Sequence, residues 1–105
     1  MAQISENYKL IISDEAQDDI DEYISTIRYM FDAPITAKKH YDDLYDLFRK
    51  IEKHPTAFSE RTTTSLLQYG YNIRRVNYKK MAILYAIKGR IVYIHRVIAA
   101  SMIID

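Results

Sequence analysis

Residues 71–98 read YNIRRVNYKKMAILYAIKGRIVYIHRVI. This stretch contains three runs in which apolar and polar side chains alternate, at Tyr71–Val76, Lys80–Ile87 and Arg90–Ile98. Such alternation, rich in β-branched and aromatic residues, is typical of β-strands, and the Lys88-Gly89 pair between the last two runs is typical of a hairpin turn. Because the middle run is apolar on both faces, we predict an antiparallel meander with this run as a central strand.

The residues before the meander predict one more strand and two helices. Tyr8–Ser13 reads YKLIIS and is apolar on both faces, which predicts a strand buried on both sides. Ser13 then occupies an N-cap position, followed by two acidic residues that favour a helix N-terminus. Asp32-Ala33-Pro34 separates the two helices, and His54-Pro55 ends the second. Each helix has an apolar stripe with alternating spacings of four and three: Ala16, Ile20, Tyr23, Ile27 and Met30, then Ala37, Tyr41, Leu44, Phe48 and Ile51.

The predicted order is therefore β-α-α-β-β-β, with residues 55–70 as a loop. This is an α+β fold in which a helical hairpin packs on one face of a twisted, mainly antiparallel sheet. The chain has 105 residues, 49% of them hydrophobic, and only two Gly and two Pro. We expect a single folded domain over residues 1–105 with one hydrophobic core.

Several classes of chemistry are excluded by composition and spacing. The chain has no cysteine, and His40, His54 and His95 are too far apart in sequence to suggest a metal site. Gly70 and Gly89 are isolated, so no glycine-rich loop is available to hold a nucleotide phosphate. The acidic residues of both helices are most simply a solvated face. We therefore expect no metal and no cofactor.

The N-terminus lacks a signal-peptide pattern, and no apolar run is long enough to span a bilayer. We therefore expect a cytoplasmic protein that does not contact a membrane. The net charge of +1 hides an uneven distribution. Residues 1–53 contain seven Lys/Arg and twelve Asp/Glu, a net charge of −5, whereas residues 54–105 contain eight and two, a net charge of +6. The basic half suggests a surface for a polyanion or an acidic partner, although such a division also serves intramolecular charge balance.

The basic half concentrates its candidate functional residues in the meander. Arg74 and Arg75 are adjacent in a strand and must point to opposite faces; alternation from Ile73 predicts that Arg74 lies away from the helices. His95 and Arg96 are also adjacent in a strand, so only one of them is expected on the face away from the helices. We predict that one residue of each pair shares a basic surface with loop and turn cations and with tyrosines: Arg61, Lys79, Lys80, Tyr69, Tyr71, Tyr78 and Tyr93. The alternative is that the cations only block sheet aggregation and that the tyrosines belong to the core or its rim.

RNA cleavage without a metal requires a base, a cation to stabilise the phosphorane, and an acid. The arginines supply the cation, and as exposed strand residues they are expected to contribute little to stability. His95 is the nearby candidate for acid or base, although a histidine between apolar neighbours is also common as an ordinary strand residue. The sequence after Arg96 contains no His, Tyr, Lys or Arg.

The chain resembles the RelE/ParE superfamily of toxins from bacterial type II toxin–antitoxin modules over roughly residues 7–100. The resemblance lies in the order and spacing of several phrases. They are YKLIIS followed by DEAQDDIDEYI, the helix end LFRKIEKHP, the phrase YGYNIRRVNYKKMAILYAI, and VYIHRVI. It implies the same β-α-α-β-β-β order that the periodicities predict.

The resemblance implies a toxin with a cognate antitoxin as partner, and two possible targets. RelE-like members cleave mRNA on the ribosome, whereas ParE-like members act on DNA gyrase without ribonuclease residues. In the RelE-like case, Arg74 or Arg75 and Arg96 match the catalytic arginines, and Arg61 loosely matches a basic loop position. The usual His or Tyr of the tail is absent, which leaves His95 as the only nearby candidate for the acid or base. We take mRNA cleavage as the expectation, with gyrase as the alternative target and a non-toxic nucleic-acid-binding domain as a third possibility.

Overall fold

The computed structural model describes residues 7–61 and 64–103. Its elements, in chain order, are β1 (Lys9–Ile12), α1 (Asp14–Ser25), a π-helical turn (Thr26–Met30), α2 (Pro34–Lys53), a 3₁₀ turn (Pro55–Ala57), α3 (Thr64–Leu67), β2 (Arg74–Tyr78), β3 (Met81–Lys88), β4 (Ile91–Ala99) and a second 3₁₀ turn (Ala100–Met102). The predicted β-α-α-β-β-β order is confirmed, with α3 as a one-turn addition.

The four strands form one sheet in the order β1-β4-β3-β2. β2, β3 and β4 form the predicted antiparallel meander, and β1 pairs in parallel with β4 from Lys9↔Ile91 to Ile12↔Ile94. As an edge strand, β1 leaves Ile11 37% exposed. The prediction that the first strand is buried on both sides is wrong, because the apolar cluster on that face of the sheet contains no residue of β1.

A separate apolar cluster covers each face of the sheet. On the face that carries α1 and α2, which we call the helix face, the buried residues are Ala16, Ile20, Leu44, Phe48, Ile51, Val76, Ile83, Tyr85, Val92, Ile94 and Val97. On the opposite face, the far face, they are Leu66, Ile73, Ala82, Leu84, Ala86 and Ile98. The predicted single core is therefore divided in two, and the segment predicted as a loop supplies Leu66 from α3 to the second cluster.

Ser13 joins the sheet to the helical hairpin. Its hydroxyl accepts a hydrogen bond from the Ala16 amide at 3.0 Å and donates one to the His95 carbonyl at 2.8 Å. The predicted N-cap is confirmed, and it also holds the start of α1 against β4. Capping satisfies an amide at the helix start, which otherwise has no partner within the helix.

The hairpin turns through the π-helical segment. Phe31 donates its amide hydrogen to the Thr26 carbonyl at 3.3 Å, an i→i+5 bond that widens the helix and shifts its phase. Met30 is therefore 80% exposed. The prediction that it continues the apolar stripe is wrong for this reason.

Candidate functional site

The two adjacent arginines of β2 lie on opposite faces of the sheet. Arg74 pairs with Tyr85 and Arg75 with Leu84, and these partners belong to the helix-face and far-face clusters respectively. Cross-strand partners share a face, so Arg74 lies on the helix face and Arg75 on the far face. The prediction that Arg74 lies away from the helices is wrong, because Ile73, from which the alternation was counted, packs in the far-face cluster.

Arg74 is held by the segment before β2. Its guanidinium donates a hydrogen bond to the Phe58 carbonyl and lies 3.7 Å from the Glu60 carboxylate, and its side chain is only 17% exposed. The backbone of this segment also pairs with β2, since the Arg61 amide donates to the Ile73 carbonyl at 2.7 Å. The contacts of Arg74 therefore attach residues 58–61 to the sheet.

A bulge in β4 displaces His95 from regular pairing. Tyr85 pairs with Ile94 and Leu84 pairs with Arg96, which leaves His95 as the extra residue. The ring of His95 packs edge-on against Tyr93, with centroids 4.7 Å apart. Burial, and to a smaller extent the nearby Lys88, lowers the pKa of His95 below its ordinary value. This shift favours the neutral imidazole.

Arg96 forms an ion pair with helix α1. Its Nε and Nη2 donate to the two carboxylate oxygens of Asp19 at 2.7 and 2.9 Å, and the same carboxylate accepts the Val97 amide at 3.0 Å. The side chains of Arg96 and Asp19 are 28% and 14% exposed. Hydrogen bonding to Asp19 raises the pKa of Arg96 further above its already high value. Arg96 is therefore a partly buried structural contact, and the expectation that it is an exposed strand residue is wrong.

The four residues predicted to bind nucleic acid are not brought together. Arg61 is exposed beside the start of β2, whereas Lys79 and Lys80 are exposed in the turn that follows its end. At about 3.3 Å per residue, the length of β2 separates these positions by roughly 16 Å. Tyr78 turns towards the helices, where its hydroxyl donates to Asp43 at 3.2 Å. The prediction that Tyr78 flanks a surface on the face away from the helices is therefore wrong. Burial, followed by the nearby Asp43 charge, raises the pKa of Tyr78 to about 12.

A groove of about 370 Å³ runs along β4 beyond its pairing with β1. β1 pairs with β4 only as far as Ile94, so within the described chain the next residues of β4 have no neighbouring strand on that side. The lining includes Asp19, Glu22 and Tyr23 of α1, Met81 and Ala99 of the sheet, and Met102 of the final 3₁₀ turn. Sequence reasoning missed this groove, because it depends on where β1 stops. The apolar character of the tail was its one visible sign.

A second surface that sequence reasoning missed lies at the turn of the helical hairpin. Tyr29, Met30 and Phe31 are consecutive there, and all three are strongly exposed. Three adjacent large apolar residues beside a predicted turn were the available signal. It was overlooked because Met30 also fits the spacing of a buried helix stripe.

Neither a metal centre nor a membrane span is found in residues 7–61 and 64–103. Within these residues, no three His, Cys, Asp or Glu side chains form a group that could hold a metal ion. None of their helices is both long and apolar enough to cross a bilayer.

Comparison with known proteins identifies the family. The sequence model of the family described as the ParE toxin of the type II toxin–antitoxin system, parDE, matches residues 10–104. The chain therefore belongs to the ParE toxin family, which lies within the superfamily that its sequence resembles.

Solved structures agree with this assignment at the level of the fold. A chain of the chromosomal ParDE toxin–antitoxin system from P. aeruginosa superposes with a TM-score of 0.71 at 15% sequence identity, covering 90% of this chain and 98% of that one. Among curated proteins, no sequence matches significantly. The fold is thus similar to that of a protein from a ParDE system, although the two sequences have diverged widely.

Proposed function

We propose that this protein is a toxin of the ParE type, which acts on DNA gyrase by binding and without nuclease chemistry, and which a cognate antitoxin neutralises. The family assignment supports a toxin. The observation that favours gyrase over mRNA cleavage is the engagement of Arg96 and Arg74 by the chain's own groups, so that these two arginines do not form a shared phosphate site.

Phosphoryl-transfer catalysis needs cations that are free to approach the substrate phosphate. The guanidinium of Arg96 instead forms a bidentate pair with Asp19, and that of Arg74 is held on the helix face by the Phe58 carbonyl. His95 shares no hydrogen-bonded arrangement with either arginine, and its lowered pKa disfavours the protonated form that a general acid requires. This arrangement argues against the mRNA cleavage expected from the sequence.

The antitoxin is proposed to occupy the groove along β4. A strand edge that, among the described residues, has no neighbouring strand beyond Ile94, next to exposed apolar side chains such as Met102 (67% exposed), favours the addition of an extended partner segment. Residues 54–105 supply the excess of positive charge that an acidic partner segment would complement. Both features lie in the sheet half of the molecule.

The experiment that tests this proposal is controlled expression in bacteria that carry two reporters, one for the DNA-damage response and one for protein synthesis. We expect growth arrest accompanied by early induction of the damage response, while protein synthesis declines only later. Co-expression of the open reading frame adjacent to this gene should prevent the arrest.

Other outcomes would contradict the proposal. Immediate loss of protein synthesis with fragmented mRNA would favour the RelE-like activity. Normal growth at high expression in the absence of any antitoxin would favour a non-toxic nucleic-acid-binding domain.

A further inference from the structure

Four large apolar side chains project into solvent where the helical hairpin turns. Tyr29 is 71%, Met30 80%, Phe31 72% and Ile35 86% exposed, and we call these four residues the hairpin-tip surface. None of them belongs to either core cluster. These side chains therefore do not contribute to core packing, and their exposure to water is unfavourable.

The extent of this surface is that of the largest apolar patch on a typical monomer, which is often functional. Side chains of this size, exposed to this degree, present together on the order of 500 Å² of mostly apolar area. A contiguous patch of that size on a monomer typically marks an interaction site. Aromatic and methionine side chains are also the types enriched at the centres of protein–protein interfaces.

Hydrogen bonds order the backbone of the turn that carries the hairpin-tip surface. Besides the Phe31 amide, the Ala33 amide donates to the Ile27 carbonyl at 3.3 Å, and the Thr26 hydroxyl donates to the Glu22 carbonyl at 2.8 Å. The guanidinium of Arg28 lies 5.4 Å from the centroid of the Tyr29 ring. A surface fixed in this way loses little conformational entropy on binding.

The charges around the hairpin-tip surface identify the kind of partner it fits. Arg28 and Asp32 are opposite in sign, and Lys38 is paired with Asp42 at 2.7 Å, so the surroundings are close to neutral. Nucleic acid and anionic membranes both select basic surfaces. A neutral, convex, aromatic surface instead fits an apolar cleft of a folded protein.

A groove beside the tip extends the contact. It measures about 500 Å³, and its lining includes Ile24, Arg28, Ala37 and Tyr41 from the outer side of the hairpin. An interface of ordinary size needs about 800 Å² from each partner, which is more than the tip alone offers. The groove therefore adds contact area next to the tip.

We propose that the hairpin-tip surface is the contact of this toxin with its protein target, inserted into an apolar cleft of that target. This inference rests on the proposed function. An acidic antitoxin is complementary to the basic sheet half, whereas the neutral tip belongs to the helical half and makes its main contacts with α1 and α2. Target and antitoxin therefore use separate surfaces.

The test is the double variant Met30→Ser, Phe31→Ser, compared with the control Leu67→Ser, Tyr71→Ser, which removes two exposed apolar side chains elsewhere. Inhibition of supercoiling by purified gyrase, growth arrest, and binding to the product of the adjacent reading frame are measured for each. We expect the tip variant to need at least 10-fold more protein for inhibition and to lose growth arrest, with an unchanged circular dichroism spectrum and unchanged antitoxin affinity. The control should inhibit gyrase like the unmodified chain.

The outcomes separate this inference from the proposed function. If the unmodified chain arrests growth without inhibiting gyrase, the proposed target is wrong. The inference about the hairpin-tip surface is then tested by whether the tip variant loses growth arrest while the control keeps it. Equal arrest by both variants overturns the inference, as does a loss of antitoxin binding in the tip variant. A dimer of the unmodified chain that the tip variant abolishes assigns the surface to a second copy and also overturns it.

Discussion

Arg96 shows that an arginine whose sequence position suggests phosphate binding can instead be a structural contact. From the sequence, an arginine in the last strand of a basic half suggests contact with phosphate. In the structure its guanidinium binds Asp19, and the same carboxylate also accepts the Val97 amide at the strand edge. The pair therefore joins α1 to β4 where β1 no longer covers the edge.

We predict that Arg96→Ala lowers the free energy of unfolding by about 1–3 kcal/mol, because it leaves the carboxylate of Asp19 partly buried with only the Val97 amide as a donor. Arg49→Ala is the matched control, since Arg49 pairs with Asp46 on the exposed surface of α2 and its loss should cost about 0.5 kcal/mol or less. Urea unfolding followed by circular dichroism measures both. Equal effects of the two substitutions would show that the Asp19 contact contributes nothing special.

The faces of Arg74 and Arg75 could not be assigned from the sequence, although the alternation itself was correctly predicted. Ile73 is apolar and buried, but it is buried by Leu66 and its neighbours on the far face. When both faces of a sheet carry an apolar cluster, a buried residue does not identify the helix face. His95 adds a second difficulty, because a bulge reverses the parity of a strand and leaves no clear mark in the sequence.

At the level of elements, the two hairpin turns of the meander are built alike but from different residues. The β3–β4 turn places Gly89 at φ +60°, and the β2–β3 turn places Lys79 at φ +52°. Glycine adopts this left-handed conformation without penalty, whereas a residue with a β-carbon pays roughly 1–2 kcal/mol. Lys79 therefore carries the energetic cost of a positive φ. Its Nζ atom lies 5.8 Å from the centroid of the Tyr78 ring.

We predict that Lys79→Gly stabilises the protein by about 0.5–1 kcal/mol, because relief of the left-handed backbone outweighs the weak, exposed contact with the tyrosine ring. Lys80→Gly is the matched control at the next position, where φ is not positive; it should destabilise the protein by a similar amount. Thermal unfolding of both variants measures the difference. A loss of stability in the first variant would mean that the lysine side chain outweighs the backbone cost.

The elements themselves were largely predictable, since helices with a clear stripe and strands with clear alternation follow directly from burial on one face. The short helix α3 was not. Its four residues, Thr64–Leu67, are too few for a periodicity, and only the position of Leu66 in the far-face cluster explains why this turn forms. The π-helical turn was also unpredictable, because its wider hydrogen bonding depends on how α1 meets α2.

At the level of the whole molecule, the acidic and basic halves of the sequence form two layers, the helices and the sheet, which attract each other. Acidic residues of α1 face the basic sheet, as the contacts of Arg96 with Asp19 and with Glu15 at 3.8 Å illustrate. Part of the predicted basic surface is therefore internal charge balance. The proposed binding surfaces, which depend on exposed apolar groups at the hairpin turn and along β4, could not be found by an argument based on charge.

The most direct test of the proposed gyrase target uses purified components. Gyrase, relaxed plasmid DNA and ATP are incubated with the toxin, and the enzyme is then denatured with detergent and digested with protease to reveal any DNA cleaved within it. A parallel sample contains translating ribosomes and a defined mRNA. Our account predicts dose-dependent loss of gyrase activity with cleaved DNA, reversed by the antitoxin, while the mRNA stays intact. Cleaved mRNA with unaffected gyrase would contradict it.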